Sequence, residues 1–320
     1  MKILSYKDLK LSLFCLGCAQ FGQEYGIANK LILKEREIKT IINKSIESDI
    51  NFFDTAADYG KSEEILGKCL TPFKNKDLVI ATKIKYIKSK KLDKNIIKKA
   101  VQNSLESSLK KLRRNHLDIV YIHQYQLFSK FPGVFLEVLR GYRKKGLIRY
   151  IGISLYESKE IDKALKYNEI DVFQIPYNVL NRTFEESGKI NLLKKYKKLI
   201  TIRSVFLQGL FFMEPNNLPE YFGPIRETLR NFYGEVKKYF NSKEQFFLGY
   251  VLSKNFGPVI LGISSVSQLL RNLKIFNASF NKNEFRAVEK ETLNLKSIYI
   301  DPRQWNLNKN YVRSNNPGQG

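Results

Sequence analysis

Three residues suited to proton chemistry stand at the ends of apolar runs. Asp54 follows Asn51-Phe52-Phe53, Lys83 closes the run from Leu78, and His123 closes the run from Asp118. A fourth, Tyr59, lies in the turn after Asp54. A phenol is a reluctant acid with a reference pKa of ~10, but a neighbouring ammonium favours the phenolate and lowers that pKa. Asp54 can hold Lys83 charged and in place, Lys83 can act on Tyr59, and His123 can orient an oxygen beside the hydroxyl. Such a set suits an oxygen that gains negative charge and must take up a proton, as happens when a hydride adds to a ketone or aldehyde. Tyr59 is then the acid. Singly, each residue has an ordinary role as well. Asp54 can cap a turn, Tyr59 can be a loop aromatic, Lys83 is one of many lysines, and His123 is one of two histidines and can be structural. Their joint placement is what points to a site.

The elements that must position them alternate along the chain. After a hairpin and a first strand over 13–18, strands are expected at 51–54, 78–83, 118–123, 148–154, 172–175, 199–204 and 258–261. Helical patterns fall between them at 35–48, 62–70, 93–113, 132–145, 158–167, near 185–197, at 224–239 and 242–255, and finally at 266–276. Continuous apolar strands separated by such helices argue for a parallel sheet covered on its outer face, and about eight such units argue for closure. The expected fold is therefore α/β, a (β/α)8 barrel of the TIM type with an N-terminal β-hairpin and a short polar C-terminal tail. An open doubly wound sheet would carry G-x-G-x-x-G after its first strand, and this chain has no such run. One barrel domain over 1–300 is expected, with a loosely ordered tail over 301–320 that is rich in Asn. Catalytic groups in a parallel barrel come from the C-terminal strand ends. Read in order, those ends also carry Ser154, Gln174, Arg203-Ser204 and Gly262.

The 320 residues, 43% of them hydrophobic, describe a globular chain. No apolar run approaches the ~18 residues of a membrane span. Lys7, Asp8 and Lys10 interrupt the stretch that a signal peptide would keep apolar. A cytoplasmic protein with no membrane partner is expected. The net charge of +24 raises the question of an anionic partner. The lysines are scattered over most predicted helices, which fits an AT-rich compositional bias plus a cofactor phosphate better than specific nucleic-acid binding. Cys15 and Cys18 have C-x-x-C spacing, but an offset of three along a strand places them on opposite faces. No second pair or nearby His completes a zinc site, so no metal is expected.

The run Phe53-Asp54-Thr55-Ala56-Ala57-Asp58-Tyr59-Gly60-Lys61-Ser62-Glu63, continued by Leu66-Gly67, strongly resembles the signature of the aldo-keto reductase family. Thr82-Lys83 and the segments 117–123 and 146–154 match it further. Gly262-Ile263-Ser264-Ser265 with Gln268 and Asn272 is similar to the family's cofactor-phosphate segment. The resemblance implies a (β/α)8 barrel that binds NADPH without a Rossmann fold, with Asp54, Tyr59, Lys83 and His123 as the catalytic tetrad. It also implies Ser154 and Gln174 near the nicotinamide carboxamide, and Ser264, Ser265, Gln268 and Asn272 at the adenosine end. Arg203, Ser204, Phe206 and Gly262 complete the implied cofactor set. A helix N-terminus favours phosphate, and Arg271 adds a cation there, which favours NADPH over NADH.

The chain departs from the family pattern at Leu155, where Asn is common, and at Arg203, where an aromatic often stacks on the nicotinamide. The segments 16–29 and 203–210 resemble a bacterial branch associated with surface-polysaccharide and sugar biosynthesis. The expected partner is a small-molecule aldehyde or ketone, with a keto-sugar or nucleotide-sugar as the specific candidate. A monomer or weak homo-oligomer is expected. The alternative is a cofactor-binding regulatory or scaffold barrel with little turnover, for which Arg203 is the best argument. Charge-driven RNA or DNA binding is a third reading, and it lacks any recognisable module. Pocket specificity is expected from the loops. The insertion 213–222, with Pro215 and Pro219, is the expected lid or wall, and Trp305 stands either over the pocket or against the barrel's outside.

Overall fold

A two-stranded antiparallel hairpin, β1 (Ile3–Tyr6) and β2 (Leu9–Ser12), precedes eight parallel strands. These are β3 (Phe14–Gly17), β4 (Phe52–Asp54), β5 (Val79–Lys83), β6 (Leu117–Ile122), β7 (Ile148–Ser154), β8 (Ile170–Pro176), β9 (Leu199–Arg203) and β10 (Val259–Gly262). They follow one another around a closed ring in which β10 pairs with both β9 and β3. The (β/α)8 barrel and its hairpin are as expected. The computed structural model describes residues 1–28, 32–89, 92–290 and 295–305, without the side chains of Lys282 and Lys290. Residues 301–305 form a turn capped by the Asp301 side chain; the rest of the expected tail lies outside the described residues. No helix among the described residues is long and apolar enough to cross a membrane.

The barrel strands are buried on both faces, so their sequences read as apolar runs. Alternate residues still part company, because successive side chains point to opposite faces of a strand. Cys15, Phe52, Val79, Ala81, Ile119, Tyr121, Tyr150, Val172 and Leu199 cluster with Leu9 and Leu11 of β2. The residues between them, such as Leu16, Phe53, Ile80, Val120 and Phe173, join the layer beneath the helices. The first set fills the lumen and β2 closes one end of it. Gly152 makes room for this filling, since a Cβ there would sit 2.4 Å from the Tyr121 ring. Continued two residues at a time toward the C-terminal strand ends, the lumen parity reaches Asp54, Lys83, His123, Ser154, Gln174 and Arg203. The polar site is thus the uppermost layer of the barrel filling.

Ion pairs fix the opposite end. Arg149 donates to Asp118 Oδ1 at 2.8 Å and to Asp8 Oδ2 at 2.8 Å, and Tyr150 also donates to Asp8. Lys7 and Arg143 both meet Asp171, at 2.7 and 2.6 Å. This ties the hairpin to the N-terminal face, the stabilising end of such barrels.

Several elements differ from expectation. The helix expected near 185–197 is broken at Gly188, which takes φ +72°, into Thr183–Glu186 and Lys189–Lys195. Helices Tyr125–Lys130 and Lys282–Lys290 are additional. The insertion 213–222 forms short 3-10 turns with Leu218 and Phe222 fully buried. Trp305 packs edge-on against Phe222, with ring centroids 5.1 Å apart.

Candidate active site

Neighbouring strands bring the charged pair together. Asp54 of β4 is in register with Ala81 of β5, and Lys83 lies two residues further on the same face. Lys83 Nζ donates to Asp54 Oδ1 at 2.5 Å and to the Thr55 carbonyl at 2.8 Å. The other Asp54 oxygen accepts from Gln174 Nε2 at 2.8 Å, and Ser154 Oγ donates to Gln174 Oε1 at 3.4 Å. Lys83 is 1% exposed and Asp54 4%, so each charge depends on the other and on these hydrogen bonds. Tyr59 reaches the pair by a tight turn. Gly60 takes φ +55°, and a Cβ there would strike the Gly22 carbonyl at 2.1 Å, so this turn needs glycine. Lys83 Nζ stands 4.9 Å from the Tyr59 ring centroid.

Burial, and then the Asp54 carboxylate, push the Tyr59 phenol well above its ordinary range. A phenol lowered by Lys83 is therefore not what the site holds, because burial opposes the phenolate and the Asp54 carboxylate adds to it. Tyr59 holds its proton firmly until a more basic oxygen arrives beside it.

His123 sits just beyond β6, its Nδ1 3.6 Å from Asp58 Oδ2. Its ring meets Tyr86 edge-on at 4.6 Å and Tyr59 at 6.4 Å. Burial pushes the imidazole down, and Asp58 offsets this only in part. Burial alone would raise Asp58, but His123 and the Tyr86 N–H hold it below the usual carboxylate range. His123 is thus a neutral group at neutral pH. Its folded pKa is depressed, so its contribution to stability is complete above the unfolded value of ~6.5 and is lost as pH falls below it. Asp58→Asn removes the influence that raises the imidazole, and the His123 pKa is expected to drop further. An NMR titration of the ring proton checks this, and an unchanged or higher value would show that Asp58 does not act on the ring.

An open groove of ≈ 410 Å³ starts at Asp54 and Tyr59 and passes Gln174, Arg203, Ser204 and Phe206. It ends at Gly262, Ser264, Ser265, Gln268 and Arg271. Of the expected cofactor residues, Ser154 and Asn272 do not line it. Ser154 stands behind Gln174, and Asn272 is one helical turn beyond Gln268. Both side-chain amide atoms of Asn272 are buried and without a hydrogen-bond partner among the described residues, as is Gln20 Oε1. A Cβ at Gly262 would lie 2.2 Å from that Gln20 oxygen, so a larger residue there would displace the Gln20 side chain. Ser265 Oγ caps helix Val266–Phe276 by accepting from Gln268 N, and Gln268 Oε1 accepts from Ser264 N at 2.9 Å. Arg271 stands on the rim, bonded to Ser267 Oγ at 2.8 Å, with Glu244 3.7 Å away. The unpartnered Gln20 oxygen, the bare backbone at Gly262 and the rim cation Arg271, all on the groove, fit a phosphorylated dinucleotide.

The groove roof is a loop in unusual conformation. Ser204, Leu207 and Gln208 all have positive φ, and Ile27 N donates to the Gln208 carbonyl at 3.0 Å. Backbone held in such regions is often found at functional sites. Insertion 213–222 lines neither this groove nor the second cavity described below, so it buttresses the barrel instead of forming the expected lid. The two departures from the family pattern touch each other. Arg203 Nη2 donates to the Leu155 carbonyl at 2.9 Å, and its guanidinium stacks on Tyr156 at 4.0 Å. Asp58, Tyr86 and Tyr156 were not singled out by the sequence. Asp58 alone carried a signal, as the acidic residue directly before Tyr59.

A sequence profile of the Aldo/keto reductase family matches residues 14–291. D-arabinose 1-dehydrogenase of Saccharomyces cerevisiae is 25% identical over 303 residues, 88% of this chain and 88% of that protein. NADH-specific methylglyoxal reductase of Escherichia coli is 27% identical over 176 residues, 50% of this chain and 54% of that protein. The holo form of an aldo-keto reductase from Bacillus halodurans superposes with a TM-score of 0.73 at 22% identity, covering 95% of this chain and all of that one, a likeness of fold.

Proposed function

The chain belongs to the aldo/keto reductase family, oxidoreductases of carbonyl compounds, and on that premise we propose that it reduces an aldehyde or ketone to an alcohol with NADPH. The observation that carries this reading is one continuous groove joining the part-buried Tyr59 site to the Ser264–Arg271 segment. NADPH bound in the groove supplies the hydride. Tyr59 donates the proton, since its hydroxyl stays protonated until the neighbouring oxygen becomes basic. Lys83, fixed by Asp54 and the Thr55 carbonyl, stabilises the phenolate that remains. Neutral His123, backed by Asp58, orients the carbonyl oxygen. Gln174 and Ser154 would hold the carboxamide, and Ser264, Ser265, Gln268 and Asn272 the adenosine end. Spectrophotometric assay of NADPH oxidation with an aromatic aldehyde tests the reading.

Arg271 is the residue that would distinguish the two nicotinamide cofactors, through the extra phosphate of NADPH. Arg271→Ala is expected to raise KM for NADPH by about tenfold and to leave KM for NADH nearly unchanged. Equal effects on both cofactors would remove Arg271 from phosphate recognition.

The resemblance of segments 16–29 and 203–210 to a sugar-biosynthetic branch supports a keto-sugar or nucleotide-sugar substrate. Good activity on simple aldehydes with none on such sugars would exclude it. We read residues 1–300 as the catalytic domain, acting in the cytoplasm as a monomer or weak homo-oligomer, without a nucleic-acid or membrane partner. Arg203 in place of a stacking aromatic favours a second reading, a cofactor-binding regulatory barrel, and that reading predicts tight NADPH binding without turnover.

A further inference from the structure

A second cavity of ≈ 330 Å³ opens beside the cofactor groove, and Arg203 and Ser204 line both. Its charged lining is Glu157, Lys159, Arg203, Asp301 and Arg303, three cations against two carboxylates. Lys159 is matched by Glu157 at 2.7 Å, and Arg303 by Asp301 through Nε at 3.0 Å and Nη2 at 2.6 Å. Arg203 is the cation left over. Its polar partners are the Leu155 carbonyl and the Ser204 hydroxyl, both neutral, and no carboxylate lies within ion-pair distance among the described residues. Tyr156 brings the two arginines together, with Arg203 on its ring at 4.0 Å and Arg303 at 3.8 Å. Two guanidinium groups on one ring repel each other, and a single carboxylate, Asp301, offsets only one of them. Arg303 Nη1 has no hydrogen-bond partner among the described residues.

Guanidinium groups match the geometry of phosphate and carboxylate oxygens and bind them in charge-assisted pairs. We propose that this cavity is the subsite for an anionic group, a phosphate or a carboxylate, on the carbonyl substrate, gripped by Arg203 and Arg303. Arg203 and Ser204 also line the groove that holds Asp54 and Tyr59, so the cavity adjoins that groove, and the proposal places the anion and the carbonyl on one molecule spanning the two. The identity of the reaction rests on the reductase reading; the anion affinity of the cavity does not.

The test compares matched substrates in wild type and Arg303→Met: glyceraldehyde 3-phosphate against glyceraldehyde, and succinic semialdehyde against butanal. In wild type at least one anionic member is expected to have kcat/KM about tenfold above its neutral partner. Arg303→Met is expected to bring that ratio close to one while turnover of the neutral member is kept. Preference within one pair alone names phosphate or carboxylate as the group. Equal use of both members of both pairs, or a loss in Arg303→Met that is the same for neutral and anionic members, overturns the subsite. Calorimetric titration with 3-phosphoglycerate and succinate needs no turnover. Binding in wild type that is lost in Arg303→Met supports the subsite even where no aldehyde is reduced, an outcome that would remove the reductase reading alone. Neutral turnover with no anion preference and no binding of either probe removes the subsite alone.

Discussion

Lys83→Met is expected to destabilise the protein by about 3–5 kcal/mol, because it leaves the buried Asp54 carboxylate without its counterion. Gln174 and the surrounding backbone remain, but one amide donor cannot replace an ammonium that lies 2.5 Å from the carboxylate. The double variant Asp54→Asn/Lys83→Met removes both charges at once and is expected to recover most of that loss, since a buried ion pair replaced as a unit costs little. Neither variant should reduce a carbonyl at more than a small fraction of the wild-type rate. Urea unfolding of the three proteins checks the energetics without any assay. A single variant as stable as wild type would mean that Asp54 is solvated, and the account of a dry ion pair under Tyr59 would be lost.

Tyr59→Phe is expected to lower kcat by ~10²–10⁴-fold, the range for loss of a positioned general acid. The ring keeps its place over Lys83 and beside His123. Folding and NADPH affinity should therefore be near wild type, and the loss should fall on turnover rather than on binding. A Tyr59→Phe protein with wild-type kcat would assign the proton to another group, with His123 the nearest candidate.

Much of this site was legible in the sequence for a physical reason. Closed-barrel strands are buried on both faces, so an Asp, Lys or His closing such a run is conspicuous against its apolar neighbours. Asp54, Lys83 and His123 stand out in that way, and each falls on the lumen parity of its own strand. The helix Val266–Phe276 was equally plain, and the structure adds Ser265 as its cap. What escaped depended on packing between distant segments. Nothing in the composition of 213–222 tells that its turns bury Leu218 and Phe222, so a loop rich in proline read as a lid. The break at Gly188 hid inside a helical pattern. Tyr156 and Arg303 are far apart in sequence, and only the fold shows that they stack. The tyrosine acidity went the other way from expectation because burial disfavours the phenolate, and the Asp54 carboxylate that anchors Lys83 adds to that opposition.

The central claim is that this barrel turns over a carbonyl with NADPH. The most direct measurement incubates the wild-type protein with NADPH and an aromatic aldehyde, following cofactor absorbance and alcohol together. The account predicts NADPH consumption and alcohol formation in equal amounts. Tight NADPH binding with no alcohol from any aldehyde, ketone or keto-sugar would contradict it and leave a regulatory barrel in its place.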